Sequence, residues 1–99
     1  MKQVRFKRSA RADFQAIKEH IHADNPRAAM RLIEHLRIKA FHLGEMPSAG
    51  RVRPELRPGL RSLAYDSYVL FYTVEVDIVW IQRIIHGARD LDAIFSDDV

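Results

Sequence analysis

Apolar positions recur with a period of two near the start of the chain and again in its second half, and with a helical period between them. Lys2 to Phe6 alternates, with Val4 and Phe6 on one face, which predicts a short first strand. Ser9 reads as a helix N-cap. Phe14, Ile17 and Ile21 then mark one helix stripe ending near Asp24, with Asp13, Lys18 and Glu19 on its wetter side. Asn25-Pro26 is a restart signal, because Asn caps a helix and Pro fits its first turn, where no N–H is needed. The second helix carries Ala29, Leu32, Ile33, Leu36, Ala40 and Leu43 on one face. So short a link predicts an antiparallel helical hairpin. Met46-Pro47-Ser48-Ala49-Gly50 ends it.

Arg51 to Gly59 contains Pro54 and Pro58 and reads as an irregular surface loop. Beyond it, Leu60–Ala64, Tyr68–Val74 and Ile78–His86 have strand composition, separated by turns at Asp66-Ser67 and Glu75-Val76-Asp77. Turns this short predict an antiparallel meander. The first strand joins an edge, so the expected class is α+β in the order β-α-α-β-β-β, an antiparallel sheet with the helical hairpin packed on one face. Leu91, Ile94 and Phe95 mark a short closing helix or docked tail. Residues 1–99 read as a single domain, with one modest core.

The composition, 47% hydrophobic and 29% charged, is that of an ordinary globular protein. The chain has no cysteine, which removes thiol catalysis, disulfides and thiolate metal sites and fits a reducing compartment. No signal-like or membrane-spanning stretch is apparent, so a cytoplasmic location is expected. Among the five histidines, His20 and His22 diverge on their helix and His35 and His42 stand two turns apart. Neither pair can chelate one ion, and neither a metal nor another cofactor is expected. The serines lack a nucleophile-elbow context and there is no glycine-rich phosphate loop.

Charge is unevenly placed around the net +3. Lys2, Arg5, Lys7, Arg8 and Arg11 crowd the start, and Arg51, Arg53, Arg57 and Arg61 the middle. Asp90, Asp92, Asp97 and Asp98 reverse the sign at the end. Such a surface suits a polyanion or an acidic protein. Arg61 and Arg83 fall within predicted strands, where a core-facing charge is costly, so they are expected on the open sheet face among Tyr65, Tyr68, Tyr72 and Trp80. A merely solvated sheet face is the competing reading. His86 and Arg89 flank Gly87 where the last strand ends, and Arg89 is expected to be exposed and able to contact a carboxylate or phosphate. For His86 a structural hydrogen bond is the alternative. Arg11, Arg27 and Arg31 read as helix solvation.

Five segments together carry a family likeness: Asn25-Pro26 with Ala28-Ala29, Pro47-x-x-Gly50-Arg51, Leu56-Arg57-Pro58-Gly59-Leu60-Arg61-Ser62, Tyr68-Val69-Leu70-Phe71-Tyr72, and His86-Gly87-Ala88-Arg89-Asp90. In this order the chain resembles the ParE branch of the RelE/ParE toxins of bacterial type II toxin–antitoxin pairs. The resemblance implies a toxin neutralised in a hetero-oligomer by a ParD-like antitoxin. RelE-like relatives cleave messenger RNA on the ribosome with basic strand residues, an arginine after the last strand and a tail hydroxyl. Arg61 and Arg89 match that set, whereas Leu63, Val69 and Phe95 replace its other members. The departures favour the ParE-like activity, inhibition of DNA gyrase, with Arg57, Arg61, Arg83, His86 and Arg89 as target-contact candidates and Tyr65, Tyr68, Tyr72 and Trp80 as antitoxin-contact candidates. A message endoribonuclease is the alternative, and a non-toxic antitoxin-binding module a third reading.

Overall fold

The computed structural model describes residues 1–87 and 91–96. Strand β1 (Gln3–Phe6) leads into helices α1 (Arg8–His22) and α2 (Pro26–His42). Strands β2 (Arg51–Val52), β3 (Arg61–Tyr65), β4 (Tyr68–Val74) and β5 (Ile78–His86) follow, then helix α3 (Leu91–Ser96). The sheet order is β1-β5-β4-β3-β2. The helical hairpin and the three-stranded meander are those expected from the sequence.

Four details differ. β1 lies parallel to β5, Val4 opposite Val79, so the sheet is mixed. Alternation marks a strand but carries no information about its direction. Arg51 and Val52 pair with Ser62 and Arg61 inside the stretch read as irregular, and Pro54, lacking an N–H, limits that strand to two residues. α1 begins two residues early, with Lys7 at its N-cap and no side-chain cap. Ser9 Oγ instead donates to the Gln82 carbonyl at 2.8 Å, fastening α1 to β5. Finally, the β4–β5 register slips between Phe71 and Tyr72, because Phe71 faces Arg83 while Tyr72 faces Ile81. Gln82 is the extra residue of this bulge, and strict alternation fails beyond it. By contrast, Asn25 caps α2 as expected, its Oδ1 accepting from the Ala28 N–H at 3.1 Å.

The hairpin covers one sheet face, and α3 with the 53–60 loop covers part of the other. Under the hairpin, Ala10, Ile17, Leu36, Ala40 and Leu43 pack on Leu70, Tyr72, Val79, Ile81 and Ile84. On the opposite face α3 and the 53–60 loop close a smaller cluster of Leu60, Phe71, Ile85 and Phe95, with Leu56, Val69, Leu91 and Ile94 packed against it. The closing tail is therefore part of the core, a role its apolar spacing indicated.

Tyr72 anchors the long connection. Its hydroxyl donates to the Pro47 carbonyl at 2.7 Å and accepts the Gly50 N–H at 2.8 Å, and the residue has no solvent exposure. Burial pushes the phenol pKa up, opposed by the Gly50 hydrogen bond and by Arg61. Arg61 Nη1 donates to the Gly50 carbonyl at 2.7 Å, so both polar groups of Gly50 are engaged.

Candidate functional site

β5 carries most of the chemistry, and among the described residues its far end has no β-strand neighbour on one side. β1 pairs only as far as Ile81, which leaves the Ile84 N–H facing outward from the ladder. Asp13 of α1 fills that gap: its Oδ2 accepts from the Ile84 N–H at 2.9 Å and from Arg83 Nε at 2.8 Å, while Oδ1 accepts from Arg83 Nη2 at 3.0 Å. The forked guanidinium–carboxylate pair is partly shielded from water, so it is worth more than an exposed one, and the Asp13 hydrogen bonds raise the arginine's pKa. Asp13, expected on the wetter side of the first helix, is in fact what fixes the strand end.

Beyond the clasp, exposed His86 stands opposite Tyr68, with ring centroids 5.3 Å apart and planes at 82°. These two side chains, with Asp13, Ile17, His20 and Ile84, line a cleft of about 360 Å³ between α1 and the strand ends. Burial pushes the Tyr68 phenol up, and Asp66 adds to it. Arg89 lies outside the described residues.

The expected open face of arginines and tyrosines is corrected by the register. Arg61 stands opposite Tyr72, Leu63 opposite Leu70 and Tyr65 opposite Tyr68, all on the side that meets the helices. Arg61 is therefore not on an open face, and its charge is satisfied at Gly50. Arg83 stands opposite Phe71, but its guanidinium reaches the strand edge and Asp13. Tyr72 is buried and is not available to a partner as the chain stands. Tyr65 is at the hairpin rim, where its hydroxyl hydrogen-bonds His35 Nδ1 at 2.9 Å and Lys39 Nζ lies 5.7 Å from its ring centre. Trp80 alone of the four aromatics occupies the other face, opposite Thr73. Alternation separates two faces without saying which meets the hairpin, so it does not distinguish Tyr65, Tyr68 and Tyr72 from Trp80.

The basic middle segment is largely consumed by internal contacts. Arg53 bonds Glu55 at 2.7 Å and the Ser62 hydroxyl at 3.2 Å, and this bond holds the Glu55 carboxyl below its usual range. Arg57 lies over the Phe95 ring, 5.3 Å from its centre. Phe95 itself is 4% exposed and meets Phe71 edge-on at 4.8 Å. The aromatic at the tail is thus a core residue without a hydroxyl.

The family model described as the ParE toxin of the type II toxin–antitoxin system parDE matches residues 4–91. The chain belongs to the ParE toxin family. This ParE-family chain is 38% identical over 90 residues to Toxin RelE2 of Caulobacter vibrioides, a match covering 90% of the chain and 99% of the relative. Its fold is similar to that of the chromosomal ParDE toxin–antitoxin system from P. aeruginosa, with TM-score 0.76 and 25% identity, over 87% of this chain and 96% of the other. It is also similar to the toxin–antitoxin complex RelBE2 from Mycobacterium tuberculosis, with TM-score 0.62 and 27% identity, over 86% and 96% of the two chains. Likeness to proteins bearing both family names fits one ParE/RelE scaffold. Among the described residues, no helix of this ParE-family member is long and apolar enough to cross a membrane.

Proposed function

We propose that this toxin acts in the cytoplasm by inhibiting DNA gyrase and is neutralised by a ParD-like antitoxin in a hetero-oligomer. The observation that carries the choice of target is the fate of the positions where message-cleaving relatives keep basic and hydroxyl groups. Leu63 packs against the hairpin-side core, Val69 packs against the Leu60–Phe71–Ile85 cluster, and Phe95 is buried in it. Proton transfer in RNA cleavage needs groups that donate and accept protons, and none of these side chains has one. A protein inhibitor has no such requirement. The proposed target contact is Arg89 together with the β5 end, where Asp13 holds Arg83 and the Ile84 N–H.

For the antitoxin we assign the outer side of α2. Met30, Ile38 and Phe41 are 60%, 44% and 46% exposed there, and Ile38 borders a cleft shared with His35, Lys39 and Tyr65. An amphipathic helix from the partner would cover such a ridge. Message cleavage remains the second reading, favoured by the matches at Arg61 and Arg89.

Pulse labelling after induced expression separates the readings. DNA synthesis should fall before protein synthesis, and coexpression of the antitoxin encoded beside the toxin should restore growth. Arg89→Ala should abolish arrest while changing stability by under about 1 kcal/mol, as surface substitutions usually do. Protein synthesis failing first would contradict the gyrase assignment, and harmless expression of the folded chain would leave only the antitoxin-binding module.

A further inference from the structure

The second face of the sheet is divided in two. α3 closes the half over Phe71 and Ile85, while the half toward β1 presents Trp80, Thr73 and Gln82 beside Arg5. Val4 and Phe6 pack toward the hairpin, so Arg5 alternates onto the Trp80 side, directly beside the indole in the parallel register. Lys7 Nζ stands 4.3 Å over the Trp80 ring, and Arg5, Phe6, Arg11 and Trp80 line a cleft of about 340 Å³. Arg5, Lys7, Arg8 and Arg11 are all exposed. The nearest acid along the chain, Asp13, is engaged by Arg83, and Glu75 and Asp77 lie at the other end of the strand pair, where Gln3 meets Ile78.

The arrangement combines a planar aromatic, the Gln82 amide donating to the Thr73 hydroxyl at 3.0 Å beside it, and exposed cations on and next to β1. We propose that this surface binds single-stranded nucleic acid, with a base stacked on Trp80 and flanking phosphates on Arg5, Lys7 and Arg11. An acidic peptide would use the cations but leave the indole without a role, whereas unpaired bases offer the planar faces that aromatic platforms take. A duplex hides those faces within its own stack. When a base occupies the ring, the flexible Lys7 side chain swings its ammonium from the indole to a phosphate. Among the described residues Arg5 bonds only the exposed, neutral Gln3 Oε1, at 3.0 and 3.3 Å, whereas in the basic middle segment Arg53 is held by the Glu55 carboxylate and Arg61 by a part-buried bond to the Gly50 carbonyl. This site does not depend on which cellular target the toxin attacks.

Trp80 is the only tryptophan, so intrinsic fluorescence reads the site directly. Titrating the purified full chain with oligothymidylate or oligouridylate of about twelve nucleotides, within the usual span of such sites, should give saturable quenching. With three phosphate contacts, affinity should fall about tenfold to twentyfold between 50 and 200 mM salt. The Arg5→Ala/Lys7→Ala double variant, both side chains being exposed, should stay folded by thermal melting and bind at least about tenfold more weakly with a shallower salt slope. Anisotropy of a labelled oligonucleotide should show Trp80→Phe retaining binding that Trp80→Ala loses. The proposal is overturned by absent quenching, by a polyglutamate chain or a duplex binding as tightly as the single strand, or by Trp80→Ala binding like the unaltered chain.

Discussion

Truncating Phe95 to alanine should cost about 3–5 kcal/mol of stability, the usual range for a buried aromatic. The residue sits on a helix of six residues near the end of the chain, where fraying would normally make substitutions cheap. Its burial argues otherwise. It is 4% exposed and meets Phe71 at 4.8 Å, and Leu60 and Ile85 complete the same cluster. Without the ring, α3 loses its largest anchor and Phe71 is uncovered on the sheet. Domains are stable by only about 5–15 kcal/mol in total, so the loss should be plain in a denaturant midpoint. Val52→Ala, at a position 59% exposed, should stay within about 0.5 kcal/mol. If Phe95→Ala cost under about 1 kcal/mol, α3 would not be a core element.

Gly50→Ala should be comparably damaging, for a steric reason. A Cβ there would lie 2.6 Å from the Ser62 carbonyl oxygen, 2.6 Å from the Tyr72 hydroxyl and 2.8 Å from Tyr72 Cε1. The first atom belongs to a paired strand and the others to a side chain with no exposure, so neither can yield cheaply. Overpacking costs about 1–3 kcal/mol and a buried polar group left unpaired about 1–3 more, which gives roughly 2–6 kcal/mol. Gly59 is the control. It has positive φ, +77°, but nothing within 4 Å of a Cβ, so Gly59→Ala should cost only the left-handed backbone penalty of about 1–2 kcal/mol. Thermal or denaturant unfolding of both variants checks the order. Gly59→Ala proving the more harmful would contradict the packing described around Tyr72.

Much of this fold was legible because local rules and tertiary packing agree. Asn25-Pro26 opens α2 where its capping chemistry says it should, and Ala29, Leu36, Ala40 and Leu43, picked out by spacing, are buried. What failed needed information from outside the segment. Ser9 has cap chemistry but spends its hydroxyl on Gln82, 73 residues away. The direction of β1 is set by its neighbour β5, and the faces of β3 to β5 by how the hairpin lands on them. Hence Arg61, Tyr65 and Tyr68 were placed on an open face and proved to share the hairpin's side, with Tyr72 fully buried. Asp13 was missed because an acid beside a helical stripe looks like solvation until a strand end without a β-ladder partner is brought against it. Arg5 and Lys7 gave a clear signal as charge, but their pairing with Trp80 follows only from the parallel register.

The most direct test of the proposed target uses purified components. The toxin should inhibit negative supercoiling of relaxed plasmid by DNA gyrase, or trap gyrase on cleaved DNA, with Arg89→Ala inactive and added antitoxin restoring supercoiling. In parallel, programmed ribosomes given the same toxin should keep their message intact. Site-specific cleavage of that message, with gyrase unaffected at the same concentration, would contradict the account.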